Sequence, residues 1–333
     1  TSLLLRARHG EDSARITATL SVRPPVPYVT SFESGFSASG QLALDVPREL
    51  YASLAHNRVA ASVRPVVLTA GLVAYLDHFP HHCTEQIVSR GYPLLAYLDH
   101  PDYQDDARAG QKRLAALMGR LRTRQTAAGG FNLWPGYGEP AAFPSIYVLH
   151  FLTDAQARGV TVPRDMLKRG LAWLRDYAGR EPGSLSEARR HAQALYVLSR
   201  NGLLTTNHLV HLQEYLEAHY PKVWRADIAA AYMAATWQLL RKQDDAARLI
   251  RGYRLGEARR HAQALYILSR NGLLTTNHLV HLQEYLEAHY PKEWRTDIAA
   301  AYMAATWQLL RKHDDARRLI RGYRLGEAQA VDW

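Results

Sequence analysis

Residues 228–240 read Ile-Ala-Ala-Ala-Tyr-Met-Ala-Ala-Thr-Trp-Gln-Leu-Leu, and the same stretch returns at 298–310. It is apolar nearly all round a helical wheel. Such a helix has no water-facing stripe and must be enclosed on most sides. Its neighbours differ in kind: 206–219 sets Leu209, Leu212 and Leu216 along one side and leaves the other polar, as a covering helix does. Enclosed helices alternating with amphipathic ones predict a mainly α fold of two concentric helical layers.

Outward from this stretch, helical periodicity continues in both directions. Helices are expected at about 66–78, 83–99, 105–123, 144–158, 163–178, 187–200, 206–219, 226–242 and 244–252. Trp224, Tyr232, Trp237 and Tyr253 are expected between the layers. Before residue 65 the period is two. Ile16, Ala18, Leu20 and Val22 alternate with polar neighbours, as do Leu42, Leu44 and Val46, and Val59, Ala61 and Val63. His9-Gly10-Glu11-Asp12 and Ser37-Ala38-Ser39-Gly40 supply turns, and Pro24, Pro25 and Pro27 exclude a central strand. Residues 1–65 are therefore read as a small, incomplete antiparallel β module, and 66–333 as the helical domain.

Residues 187–256 recur as 257–326 with five differences: Val197/Ile267, Val223/Glu293, Ala226/Thr296, Gln243/His313 and Ala247/Arg317. Each copy is expected to hold four helices. A period of 70 exceeds that of common solenoids, and such identity exceeds what packing demands. A recent duplication, natural or introduced, accounts for it. The copies also account for the charge. The chain of 333 residues carries 41 Lys and Arg against 31 Asp and Glu, a net +10. The first copy has ten basic and six acidic residues, the second eleven and seven, so they hold +8 of it. This is one modestly basic exterior counted twice, and it does not argue for a nucleic-acid partner. No apolar run is long enough to span a bilayer, and the first residues lack a signal-peptide pattern.

The single cysteine, Cys83, lies in 79–86, Phe-Pro-His-His-Cys-Thr-Glu-Gln, so no internal disulfide is possible. Pro80 stops what precedes, and an amphipathic run with Ile87, Val88, Tyr92, Leu94 and Leu95 begins just after. Cys83 thus falls at a helix N-terminus, where free N–H groups and the dipole favour a thiolate. Gln86 is three residues on and shares its face, about 5–6 Å away between Cβ atoms. Attack of the sulfur on the Gln86 carboxamide with loss of ammonia would give an internal thioester.

Cys83-Thr84-Glu85-Gln86, followed by 87–95 (IVSRGYPLL), resembles the thioester region of the α2-macroglobulin and complement superfamily, especially its bacterial branch. Residues 129–136 (GGFNLWPG) with 143–152 (FPSIYVLHFL) resemble its Gly-Gly-Phe turn and next inner helix, and 227–234 (DIAAAYMA) also looks bacterial. The resemblance spans most of 14–256. It implies a partial CUB-like β module leading into an α/α-toroid thioester domain of a protease-trapping protein in the periplasm or cell envelope. It makes Cys83 the thiol, Gln86 the acyl donor, and Thr84 and Glu85 motif residues. Phe79, Gly129, Gly130, Phe131 and Trp134 are candidate shields of the thioester. The implied partners are target proteases, acylated through a Lys amine or a hydroxyl, and other domains of the parent chain. Such a protein is a single-use inhibitor and not an enzyme, with no cofactor. The sequence departs from the bacterial pattern in having Phe79-Pro80-His81-His82 where Tyr-Pro-Tyr-Gly is common. The loop 179–185, where complement relatives carry a catalytic His, contains none.

Other readings stand beside this one. Asp77, His78, His81, His82 and Cys83 resemble a metal cluster, although no second Cys/His pair follows at finger spacing. Cys83 with a His base would make a hydrolase. His208 and His211 with Glu214, repeated at His278, His281 and Glu284, form a helical row that reads as a solvated face. Without a formed thioester the chain would be a non-covalent helical binding scaffold. The architecture also hosts enzymes acting on polysaccharides or lipids.

Overall fold

The computed structural model describes residues 2–19, 59, 73, 76–77, 79, 81–98, 107–136, 138–251, 258–273, 276–291 and 294–321. The chain forms two units, one of Thr1–Glu33 with Gly326–Trp333 and one of Ser34–Leu325.

In the first unit β1 (Ser2–His9) pairs antiparallel with β2 (Asp12–Thr19), Ser2 opposite Thr19 and His9 opposite Asp12. The alternation at Ile16 and Ala18 correctly marked β2. Its partner was not anticipated, because Leu3, Leu4 and Leu5 run together without alternating. Burial differs from expectation as well: Ile16 is 63% and Leu5 58% exposed. Among the described residues no second layer covers either face of this two-stranded ribbon. The strands expected around Leu20, Val22, 42–46 and 59–63 lie outside the described residues, Val59 excepted, as does the boundary at 65.

The second unit is helical. Its described helices are α1 (Thr84–Leu98), α2 (Ala107–Arg122), α3 (Ala142–Ala157), α4 (Arg164–Ala178), α5 (Leu185–Arg200), α6 (Thr206–His219), α7 (Ile228–Leu239) and α8 (Gln243–Arg251). The second copy continues with α9 (Ala258–Arg270), α10 (Thr276–His289), α11 (Ile298–Leu309) and α12 (His313–Arg321). These match the expected helices to within a few residues. The helix expected at 66–78 lies almost wholly outside the described residues.

Packing follows the alternation. The odd-numbered helices form an inner row in which α1 packs on α3, α3 on α5, α5 on α7, α7 on α9 and α9 on α11. The even-numbered helices lie outside, each against the inner helix before it. Every residue of α7 from Ile228 to Trp237 is buried, as are ten of the sixteen residues of α3. At about 1.5–3 kcal/mol for each large apolar side chain, this burial is what holds helices that propensity alone would leave marginal.

Capping fixes where the inner helices begin. Ser184 Oγ accepts from Glu187 N at 3.2 Å, and Glu187 Oε2 reaches back to Gly183 N at 2.6 Å. Asp227 caps α7 by accepting from Ala229 N at 3.0 Å, while the Arg189 fork from α5 donates to the same carboxylate at 2.6–2.9 Å. Trp224 and Trp237 are buried between the layers, as are Trp294 and Trp307. Tyr253 lies outside the described residues.

The inner helices meet around Asp154, which is only 3% exposed. Arg200 at the end of α5 donates to it at 2.5 Å, and Arg270, the same position one repeat later, at 2.6 Å. Burial opposes ionisation of Asp154, but His150, Arg270 and Arg200 outweigh it and hold its pKa down. Burial drives the neighbouring His150 down to about 4.

Candidate functional site

Cys83 is 6% exposed and immediately precedes the first turn of α1, its carbonyl accepting from Ile87 N at 3.0 Å. Thr84 is fully buried. Its N–H donates to Leu133 O at 2.8 Å, and its hydroxyl lies 2.6 Å from Asn132 O and 3.0 Å from Leu133 O. The start of α1 is thereby tied to the segment 129–136, nearly fifty residues away. Glu85 points to solvent and Gln86 is half-buried. The Gln86 Oε1 atom is nonetheless buried and without a hydrogen-bond partner among the described residues. An amide oxygen so placed costs about 1–3 kcal/mol.

The 129–136 segment is held rigidly. Gly129 has φ +99, and a Cβ there would strike the Arg169 carbonyl. A Cβ on Gly130 would come within 2.5 Å of Pro140 and 2.8 Å of Trp173. Two glycines are what let the backbone lie against α4 and the residues that lead into α3. Phe131 is completely buried, its N–H donating to Ser145 Oγ at 2.7 Å. Gln125 Nε2 donates to Gly129 O and Met166 O, and Arg169 donates to Thr126 O at 2.7 Å. Past this anchor the chain turns outward, with Leu133 38% and Trp134 50% exposed. The candidate shields thus divide. Gly129, Gly130 and Phe131 fix the segment, Trp134 stands at the surface, and Phe79 lies before the motif with its ring edge-on to His81 at 5.6 Å.

Arg124 and Arg90 both bond to His82, the residue before Cys83. Arg124 Nη2 donates to His82 O at 3.0 Å, and its Nε is buried without a partner among the described residues. Burial and then Arg120 lower the Arg124 pKa, while the Cys83 sulfur acts the other way. Arg90 donates to Leu76 O at 2.6 Å and to His82 Nδ1 at 2.9 Å. Burial first, then Arg90, Arg120 and Arg124, lower the His82 pKa. Sequence reasoning missed Arg124, Ser145 and Arg169. The basic residues among 120–124 were the available signal, but nothing local said that they turn toward residue 83.

Among the described residues the alternative clusters are not assembled. Asp77 accepts from Arg113 at 2.6 Å, and His78 lies outside the described residues. Among the described residues no three His, Cys, Asp or Glu side chains converge as metal ligands. His211 and Glu214 face solvent and His208 is partly exposed. No described helix is long and apolar enough to cross a membrane.

These features define a class: a domain of paired inner and outer helices with a Cys-x-x-Gln pair at one inner-helix entrance, strapped down by a Gly-Gly-Phe segment. Over most of its length the chain is homologous to bacterial alpha-2-macroglobulins. It is 29% identical over 288 residues to the alpha-2-macroglobulin of Rickettsia conorii, covering 84% of this chain and 15% of that protein. It is 34% identical over 250 residues to an alpha-2-macroglobulin homolog of Yersinia pestis, covering 74% and 12%. No protein-family profile matches the chain. Among solved structures it resembles native Escherichia coli alpha-2-macroglobulin, with a TM-score of 0.55 and 22% identity over 77% of this chain and 17% of that one. Salmonella alpha-2-macroglobulin reacted with methylamine gives a TM-score of 0.53 at 19% identity, over 77% and 17%. The chain therefore spans less than a sixth of the length of these curated relatives.

Proposed function

We propose that Cys83 and Gln86 form an internal thioester, and that this chain is the acylating part of a protease-trapping protein of the alpha-2-macroglobulin type acting in the cell envelope. The Cys83 sulfur attacks Gln86 Cδ, the Cδ–Nε2 bond breaks, and ammonia leaves with the thiol proton. An amine or hydroxyl of a captured protease later attacks the same carbon. The carbon–sulfur bond then breaks, the nucleophile's proton is released, and Cys83 leaves as thiolate beside Arg124. Each molecule acts once. Phe79 and Trp134 are the side chains proposed to limit the access of water.

The observation that carries this reading is the buried, unpartnered Gln86 Oε1 three residues after buried Cys83. A thioester carbonyl is a weaker acceptor than an amide and suffers less from lacking a partner. Arg124 interacts electrostatically with the Cys83 sulfur and stands beside the position where the leaving group is released. The Salmonella relative captured after reaction with methylamine points the same way. The test is labelled methylamine followed by peptide mapping. Label is expected on Gln86 together with release of one reactive thiol at Cys83, and Cys83→Ala should abolish the label. Label scattered over other Gln residues, or none, refutes the thioester.

A further inference from the structure

Arg90 stands two turns along from Cys83, with Gln86 between them on the same face of α1. Long side chains on a helix point back toward its N-terminus, and Arg90 does so, past Gln86. It reaches three groups in the stretch that leads into Cys83. Its Nε donates to Leu76 O at 2.6 Å, Nη2 donates to Phe79 O, and Nη1 lies 2.9 Å from His82 Nδ1. Arginine carries no acceptor, so the last bond requires an unprotonated Nδ1. Arg124 holds the same residue by its carbonyl at 3.0 Å. Asp77 acts on Arg90 and is itself held by Arg113 at 2.6 Å. Gln86 Oε1, buried and without a partner among the described residues, is flanked along its helix face by Cys83 and by this guanidinium fork.

We infer that Arg90 is a positioning residue that holds the stretch ending in His82 beside Gln86, and that protonation of His82 releases it. Its bearing on acyl transfer rests on the thioester proposed above: with the bridge closed, the Gln86 carbon is harder for an outside nucleophile to reach. The bridge itself stands on its hydrogen bonds. A proton on Nδ1 removes the acceptor and sets a second cation against the guanidinium. The groups that act on His82 are Arg90 from α1, Arg120 from α2, Arg124 just after α2, and His81 on its own stretch. Each of them lowers its pKa, after burial as the largest cause. The bond is therefore intact above 6.5, the ordinary histidine value, and is lost as the pH falls through the lowered one. Arg90 acts through His82 and two main-chain carbonyls, and it forms no bond to the reacting atoms.

The test uses the full chain and methoxyamine, a nucleophile that stays largely uncharged over the range used. It follows thiol release at Cys83 together with hydrogen exchange of peptides covering His82 to Arg90, corrected for the intrinsic effect of pH. On going from about pH 7.5 to about pH 5, the parent is expected to release thiol at least about fivefold faster and to lose protection in these peptides. His82→Asn places an acceptor where Nδ1 was and removes the titration, so both pH dependences should vanish. Arg90→Met should react fast and exchange fast at both pH values, and Arg90→Lys, a single point donor, should fall between. A pH dependence in His82→Asn equal to the parent's overturns the inference. So does a folded Arg90→Met with the parent's rate and protection at neutral pH; should that variant not fold, the parent and His82→Asn decide. A parent of full mass, with no ammonia lost, refutes the thioester alone, and hydrogen exchange then decides whether Arg90 holds the bridge.

Discussion

The two copies of the 70-residue unit differ at five positions, yet they do not occupy the same environment. In the first copy α7 is buried from Ile228 to Trp237, and Asp227, 6% exposed, is gripped by the Arg189 fork. In the second, a stripe of α11 is open, and Asp297 holds Arg259 through one bond at 2.6 Å. None of the five substitutions lies on that stripe. The difference lies in what packs alongside: among the described elements α7 packs on inner helices on both flanks, while α11 packs chiefly on α9 and α12. Equal sequence gives matching bounds to α6 and α10, α7 and α11, and α8 and α12, the same Asp cap at Asp227 and Asp297, and equally buried tryptophans, while the energy of a side chain depends on its neighbours.

This comparison can be broken by matched substitutions. The largest asymmetry is expected for Ala231→Arg against Ala301→Arg. The first puts a charge at a position 1% exposed and should cost at least about 4 kcal/mol, whereas the second, at an exposed position, should stay within about 0.5 kcal/mol in denaturant titrations. Equal effects would refute the sealed-versus-open reading. The site where both copies converge gives a pH test. Buried His150 has a pKa of about 4, against about 6.5 when unfolded. Between those values the unfolded chain binds the proton and the folded chain does not. Stability is therefore full above about pH 6.5 and falls as pH drops toward 4, by up to about 3 kcal/mol. His150→Gln should flatten this part of the profile. Next comes Ile228→Ala, expected to lose about 3 kcal/mol, against less than about 1 kcal/mol for Ile298→Ala. The smallest effect is a control that should not distinguish the copies. Arg241 and Arg311 both sit at φ 60 after their helices, with Lys242 and Lys312 closing the turn at 2.9 Å. Replacing either by Gly should stabilise the chain by about 1 kcal/mol, equally in both copies.

What the sequence revealed follows the same division between local and contextual. The helices and their layering were legible, because the apolar run at 228–240 and the leucine stripe at 206–219 are statements about which sides meet water. Cys83 at a helix entrance was legible from Pro80 and the periodicity that follows it. Strand β1 was not, since three consecutive leucines carry no period of two. Nor was the strap across the motif. Thr84 finds Asn132 and Leu133, and Arg124 finds His82, only after the intervening chain has folded. The open face of α11 was illegible for the strongest reason: its residues are identical to those of a closed one.

The bond between Cys83 and Gln86 is read from the intact mass of the denatured, unreduced chain. The account predicts a mass one ammonia below that of the sequence, no thiol available to a maleimide, and both restored to a free thiol and a methylamide after methylamine treatment. A chain of full mass whose Cys83 reacts with maleimide at once on denaturation, without methylamine, would contradict it.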